Sequence, residues 1–157
     1  MMNKINLLKY AIGYLSKYNS SKKNLERVLK SKIMRITTDK KQRFEYYNEI
    51  NLILNKLETK HLIDDNIYVE SKINSFVSQG KSKIFIQNYL LTKGIDKKII
   101  INNFIEYEKN NENWEKKSAF IFAKKKKLLN TNEEFEKKLG KMARAGFSYE
   151  ICKEILN

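Results

Sequence analysis

Apolar residues recur along this chain at intervals of three and four, the period of an amphipathic helix. Phe44, Tyr47, Ile50, Leu54 and Leu57 line one face of a long helix, and Asp39 with Gln42 three residues on resembles a capping box at its start. Val69, Ile73, Phe76 and Val77 form a second stripe, which Gly80 closes as a left-handed cap. Ile86 and Leu90 follow and run to Gly94. Asp96 then caps a helix with Ile99, Ile100, Phe104 and Ile105 inside. Residues 110–113 are the most polar stretch and predict a joint. Trp114, Ile121 and Phe122 ride a helix that runs into the lysines at 124–127. Thr131 with Glu134 predicts a capping box for the next helix, which ends near Gly146, and Ser148 caps a last one with Ile151, Cys152 and Ile155. Proline is absent and glycine scarce, so no helix is broken from within, and the fold class is all-α.

The caps, used as anchors, bring out an internal repeat. Ser21 is followed four and eight residues later by Leu25 and Leu29, Ser82 by Ile86 and Leu90, and Thr131 by Phe135 and Leu139. A second anchor joins the last two units. Leu90, Gly94, Ile95, Asp96 and Ile99 match Met142, Gly146, Phe147, Ser148 and Ile151 at a constant offset of 52. Its physical content is one tight corner used twice: helix, glycine stop, apolar residue, new N-cap. The chain therefore reads as a tandem array of three three-helix repeats, over 3–61, 62–109 and 110–157. One such unit is too small to bury a good core alone, so stacking on its neighbours is the expected remedy. The array is expected to be an elongated crescent with a long face, which suits a binding protein better than a catalyst.

Composition narrows the chemistry. One histidine (His61) and one cysteine (Cys152) cannot build a conventional zinc or haem site, and no intrachain disulfide is possible. No glycine-rich phosphate loop occurs, and no nucleophile motif accompanies His61. No enzyme activity and no cofactor are expected. No apolar run is long enough to cross a membrane and no leader-like block opens the chain, so the cytoplasm is the expected compartment.

The 157 residues carry 32 Lys and Arg against 18 Asp and Glu, a formal net charge of +14. An A/T-rich genome explains the abundance of Lys, Asn and Ile and the preference for Lys over Arg. It explains the excess over the acids less well, and attraction to a polyanion is the favoured reading. Lys137, Lys141 and Arg144, spaced four and three apart, share one helix face and are the best candidates for contact with an anionic partner. Lys93, Lys97 and Lys98, around the Gly94 corner, rank next. Lys124 and Lys125 belong to the densest charge run, for which a solvated helix end is as good a reading as a phosphate contact. Tyr10, Tyr14 and Tyr18, four apart, could stack on bases, although such a stripe is more often core. Asp64 and Asp65 are read as caps of the helix that follows, ahead of an acidic contact with a partner. Trp114 is read as an anchor between helices, and Cys152 as a small core residue.

Three stretches resemble the RecX family of regulatory proteins, which modulate the RecA recombinase. Asp64-Asp65, Tyr68, Ile73, Gly80, Ile86, Leu90 and Lys93-Gly94-Ile95 follow the family's spacing, DDxxY…G…I…L..KGI. Met142-Ala143-Arg144-Ala145-Gly146-Phe147-Ser148-Tyr149-Glu150-Ile151 is similar to its closing motif, and Ala11, Tyr14-Leu15, Ser21 and Leu25 to its opening helix pair. The chain departs from the pattern at Asn24, where the family often has Glu. It departs again at Phe76, Ile84, Phe85 and Ala145, where basic residues are frequent; Lys72, Lys81 and Lys83 lie nearby. The resemblance implies an all-α repeat protein that binds the RecA–DNA filament along its groove and lowers its strand-exchange and ATPase activity, in the regulation of recombination, DNA repair and the SOS response. It implies no cofactor and no catalysis. Single- or double-stranded DNA is a further expected partner, a membrane is not, and a monomer suits an array with its own ends. The alternative is a basic helical protein that binds nucleic acid without RecA.

Overall fold

The computed structural model describes residues 4–157. Among them are nine helices and no strand: α1 (Leu7–Leu15), α2 (Lys22–Ile36), α3 (Lys40–Thr59), α4 (Asp65–Ser78), α5 (Lys83–Thr92), α6 (Lys97–Asn110), α7 (Trp114–Lys125), α8 (Phe135–Arg144) and α9 (Tyr149–Leu156). They divide into two compact units. The first runs to Tyr68 and takes in Lys93–Ile95, the link between α5 and α6; the second comprises Val69–Thr92 and Asp96–Asn157.

The first unit is built on a four-residue period in α2. Leu25, Leu29 and Ile33 are fully buried and pack with Leu7 and Ala11 of α1 and with Tyr46, Ile50, Ile53, Leu54 and Leu57 of α3. Removing an aliphatic side chain of this size from water contributes about 1.5–3 kcal/mol. The face of α3 differs from its expected one. Phe44 points out at 65% exposure, and Tyr46, at 3%, takes its place. Tyr46 is amphipathic: its ring fills the core while its hydroxyl accepts from Ile5 N at 3.2 Å. Asp39 caps α3 by accepting from Lys41 N at 2.8 Å and from Gln42 N. Arg43 then reaches back from the first turn of α3. It donates to Thr37 O at 2.7 Å and Met34 O at 3.2 Å, and so satisfies carbonyls at the end of α2.

In the second unit Trp114 anchors α7 to α6. It stacks on Phe104 with ring centroids 5.9 Å apart and meets Tyr107 edge-on at 5.8 Å. Ala119 and Ala123 of α7, Leu128, Met142 of α8, Phe147 and Cys152 of α9 form a further core. Cys152 is fully buried, and burial pushes its thiol pKa up. Ile105 lies outward, half exposed, although Ile100 and Phe104 on the same helix are buried. Asp96 and Ser148 cap α6 and α9 as their sequence positions require.

The capping box expected at Thr131 does not form. Helix α8 starts only at Phe135, and its cap position, Glu134, makes no side-chain cap bond. Lys127 and Asn130 take positive φ, +55° and +53°, so the chain turns out of helical register just before Thr131. The Thr131 hydroxyl accepts only from Glu133 N, at 3.4 Å. Phe135 is accordingly exposed and Leu139 half-buried, where the repeat pattern calls for core.

Candidate functional site

Two hydrogen-bonded corners hold most of the motif residues, and they are copies of each other. Ser21 is the N-cap of α2. Its Oγ accepts from Asn24 N at 3.1 Å and donates to Lys93 O at 2.6 Å, the carbonyl just before Gly94. Ser82 does the same for α5: its Oγ accepts from Phe85 N at 3.2 Å and donates to Ala145 O at 2.7 Å, just before Gly146. The next backbone amide is also taken up. Lys22 N donates to Asp65 Oδ1 at 2.9 Å, and Lys83 N donates to Glu115 Oε1 at 3.2 Å. The lysine side chains complete the copy: Lys22 Nζ pairs with Glu58 at 3.2 Å and Lys83 Nζ with Glu108 at 2.6 Å. The N-termini of α2 and α5 thus each have two of their orphan N–H groups satisfied, one by a serine and one by a carboxylate, at the end where the helix dipole favours negative charge.

Glycine is required where each corner closes. Gly94 has φ +73°, and a Cβ there would lie 2.5 Å from Lys23 Cβ. Gly146 has φ +97°, and a Cβ would lie 2.4 Å from Ser82 Oγ, the atom that makes the clasp. Phe147 is buried beside it and Ser148 caps α9. Tyr68 is buried in the first turns of α4, and Gly80 ends that helix.

The paired acids divide their work, which corrects one expectation. Asp64 caps α4, accepting from Asn66 N at 2.8 Å and from Ile67 N. Asp65 does not cap its own helix and serves α2 instead. Burial holds the Asp65 carboxyl above its ordinary pKa, against the opposing pull of the Lys22 N–H, and Glu115 is raised for the same reason against Lys83 N–H. Glu115, Glu58, Glu108 and the second bond of each serine were not anticipated. Their signal was in the chain: the acids recur at an offset of 50 and the Ser-Lys pair at 61.

The basic candidates lie on several elements and are not gathered into one cavity. Lys97 and Lys98 are exposed at the start of α6, where Lys97 borders a groove of about 200 Å³ with Leu91, Ile100 and Ile101. Lys93 is half-buried, with its carbonyl held by Ser21. Lys124 and Lys125 are exposed at the end of α7, and Lys125 Nζ donates to Gln79 O at 3.0 Å. Lys137, Lys141 and Arg144 are all exposed on α8. Lys141 is engaged by Glu133 at 2.7 Å, from the loop before the helix, so this stripe is less free than spacing alone implied. No group of three His, Cys, Asp or Glu among the described residues could hold a metal ion. No helix among them is long and apolar enough to cross a membrane.

The nine helices of the described residues, with their duplicated corner and lysines exposed on several elements, define an all-α helical-repeat protein. The comparisons give the class a family. No family model matches the chain. The regulatory protein RecX of Myxococcus xanthus (strain DK1622) is 30% identical over 155 residues, covering 94% of this chain and 82% of that protein. The crystal structure of RecX from Lactobacillus salivarius superposes with a TM-score of 0.69 at 27% identity, over 96% of this chain and 92% of that one. A second crystal structure, of a regulatory protein RecX, gives 0.65 at 20% identity, over 95% and 71%, and supports the fold alone. The chain belongs to the RecX family of regulatory proteins.

Proposed function

We propose that this protein binds the RecA–DNA filament and lowers its strand-exchange and ATPase activity. The observation that carries the reading is the family relationship, which spans nearly the whole chain. Charge supports it: a net +14 favours a filament of acidic protein surface and DNA phosphate. The three repeats, 3–61, 62–109 and 110–157, act as one binding array, monomeric and cytoplasmic, which blocks protomer addition or motion without catalysis. Lys93, Lys97 and Lys98, Lys124 and Lys125, and Lys137, Lys141 and Arg144 are its proposed contacts. With contacts spread in this way, no single exposed Lys→Ala change costs more than about 2 kcal/mol of binding.

The test is the DNA-dependent ATPase of the cognate RecA on single-stranded DNA, with this protein titrated in and excess DNA as control. Inhibition well below one molecule per RecA protomer, unrelieved by excess DNA, is the expected result. No inhibition, or inhibition that excess DNA removes, overturns it in favour of a protein that binds nucleic acid on its own.

A further inference from the structure

A surface concavity of the first unit lies along α1, and the clasps leave it unexplained. It has a volume of about 660 Å³ and is lined by Tyr10, Tyr14 and Tyr18 together with Lys4, Lys9 and Lys17. The three rings are spaced four residues apart, which sets them about 6 Å apart along the helix axis. The turn is carried past the end of α1 by Tyr18 N donating to Tyr14 O at 2.9 Å. Tyr10 and Tyr14 lean on the core, whereas Tyr18 is 56% exposed, with its ring centroid 4.9 Å from that of Tyr14. A fourth cation, Lys32, sits over the Tyr10 ring at 4.9 Å.

The charge around these rings is one-sided. The chain has no Asp or Glu before Glu26, and Glu26 is bridged by Lys23 and Lys30, at 2.9 and 2.7 Å. Glu49 reaches Lys4 at 2.7 Å. Lys9 and Lys17 are exposed and make no ion pair among the described residues. An exposed π-face flanked by unneutralised ammonium groups, at intervals close to the repeat of an extended strand, is the arrangement that holds unpaired bases and their phosphates. Duplex DNA offers no base face to such a shelf.

We infer that the α1 groove is a single-stranded nucleic acid site, with a base stacked on Tyr18 and the adjoining phosphates on Lys9 and Lys17. This deepens the functional reading above and rests on it for the origin of the strand. Its test contains no recombinase, so the site can fail while filament inhibition stands, and the reverse. The full chain is titrated against a labelled oligothymidylate of about 15 nucleotides and against an abasic strand of equal length, by fluorescence anisotropy. The parent protein binds the thymine strand more tightly. Tyr18→Ala weakens that binding about tenfold and leaves the abasic strand unaffected, so the preference collapses, while Tyr18→Phe retains it. Tyr18 is exposed, so loss of folding does not confound the variant. Lys9→Ala with Lys17→Ala keeps the preference but lowers the salt slope by about 1.4, at roughly 0.7 per phosphate. Equal binding of both strands by the parent, or no change in Tyr18→Ala, overturns the site. So does displacement of the strand by an acidic tyrosine-containing peptide at lower concentrations than by unlabelled oligothymidylate, which would make the groove a protein site.

Discussion

The two clasps have the same bonds and different parts. The first uses Asp65, the second Glu115, one methylene longer, and both reach the first amide of a helix. Both corners meet the second residue of the clasped helix, Lys23 of α2 and Ile84 of α5, but a Cβ at Gly94 would press on Lys23 whereas one at Gly146 would meet the cap, Ser82, first. The corner keeps its place against the helix it meets, and the serine-to-carbonyl bond is kept at 2.6 and 2.7 Å. What is repeated is a set of satisfied donors and acceptors rather than a set of side-chain volumes. That is the outcome expected where unsatisfied buried polar groups cost more than small changes in packing.

The glycines separate the two most sharply. Gly146→Ala should cost about 3 kcal/mol and Gly94→Ala about 2 kcal/mol, read from urea unfolding by circular dichroism. At Gly146 the methyl group meets the clasp atom and a φ of +97° that L residues avoid, whereas +73° at Gly94 lies closer to the left-handed basin. A larger loss at Gly94 would show that fit against Lys23, not backbone conformation, decides.

Next come the serines. Ser21→Ala and Ser82→Ala each remove a cap and strand a part-buried carbonyl, with an expected loss of about 1–2 kcal/mol in the same measurement. Thr131→Ala, at the position the repeat equates with them, should stay within about 0.5 kcal/mol because its hydroxyl caps no helix. A loss at Thr131 equal to that at Ser82 would break the distinction between clasped and unclasped helix starts.

The acids come last. Asp65→Asn with Glu115→Gln keeps an acceptor for each amide and should change the unfolding free energy at neutral pH by less than about 1 kcal/mol. The pH profile is more telling. Both carboxyls are raised by burial, so their contribution is full below their ordinary values and is lost as pH rises through the raised ones. Glu26 works the other way: hydrogen bonds from Lys30 and Lys23 hold it low, and its contribution is lost as pH falls. The double variant should therefore gain less stability on mild acidification than the parent. An unchanged profile would mean that the two carboxyls are not desolvated in solution.

Much of this could be read from the chain, for identifiable reasons. Helix spacing, the caps at Asp39, Asp96 and Ser148, and the Gly94 and Gly146 corners depend on local rules and were legible. So was the family, through the motifs around Asp64, Gly94 and Gly146. The failures came where a distant partner decides. Nothing local says that Tyr46 rather than Phe44 faces inward, because that depends on where Ile5 N lies. Asp65 reads as a cap until α2 is placed beside it. The α8 stripe reads as free cations until Glu133 folds back onto Lys141. Serine anchors and glycine corners were each visible as repeats, but their touching was not, since their separations of 72 and 63 residues are fixed only by the fold.

Those separations also set a timetable for the nascent chain. The cap of α2 stays without its second partner until residue 93 has been made, and the cap of α5 until residue 145. At translation speeds of about 5–20 residues per second, the 52 residues between the two closing positions take roughly 3–10 s. Helix formation itself takes about a microsecond. Each helix can therefore form and fray many times while its clasp partner is still unsynthesised. Translation therefore supplies the clasp partners in order, the N-terminal one first and the C-terminal one seconds later.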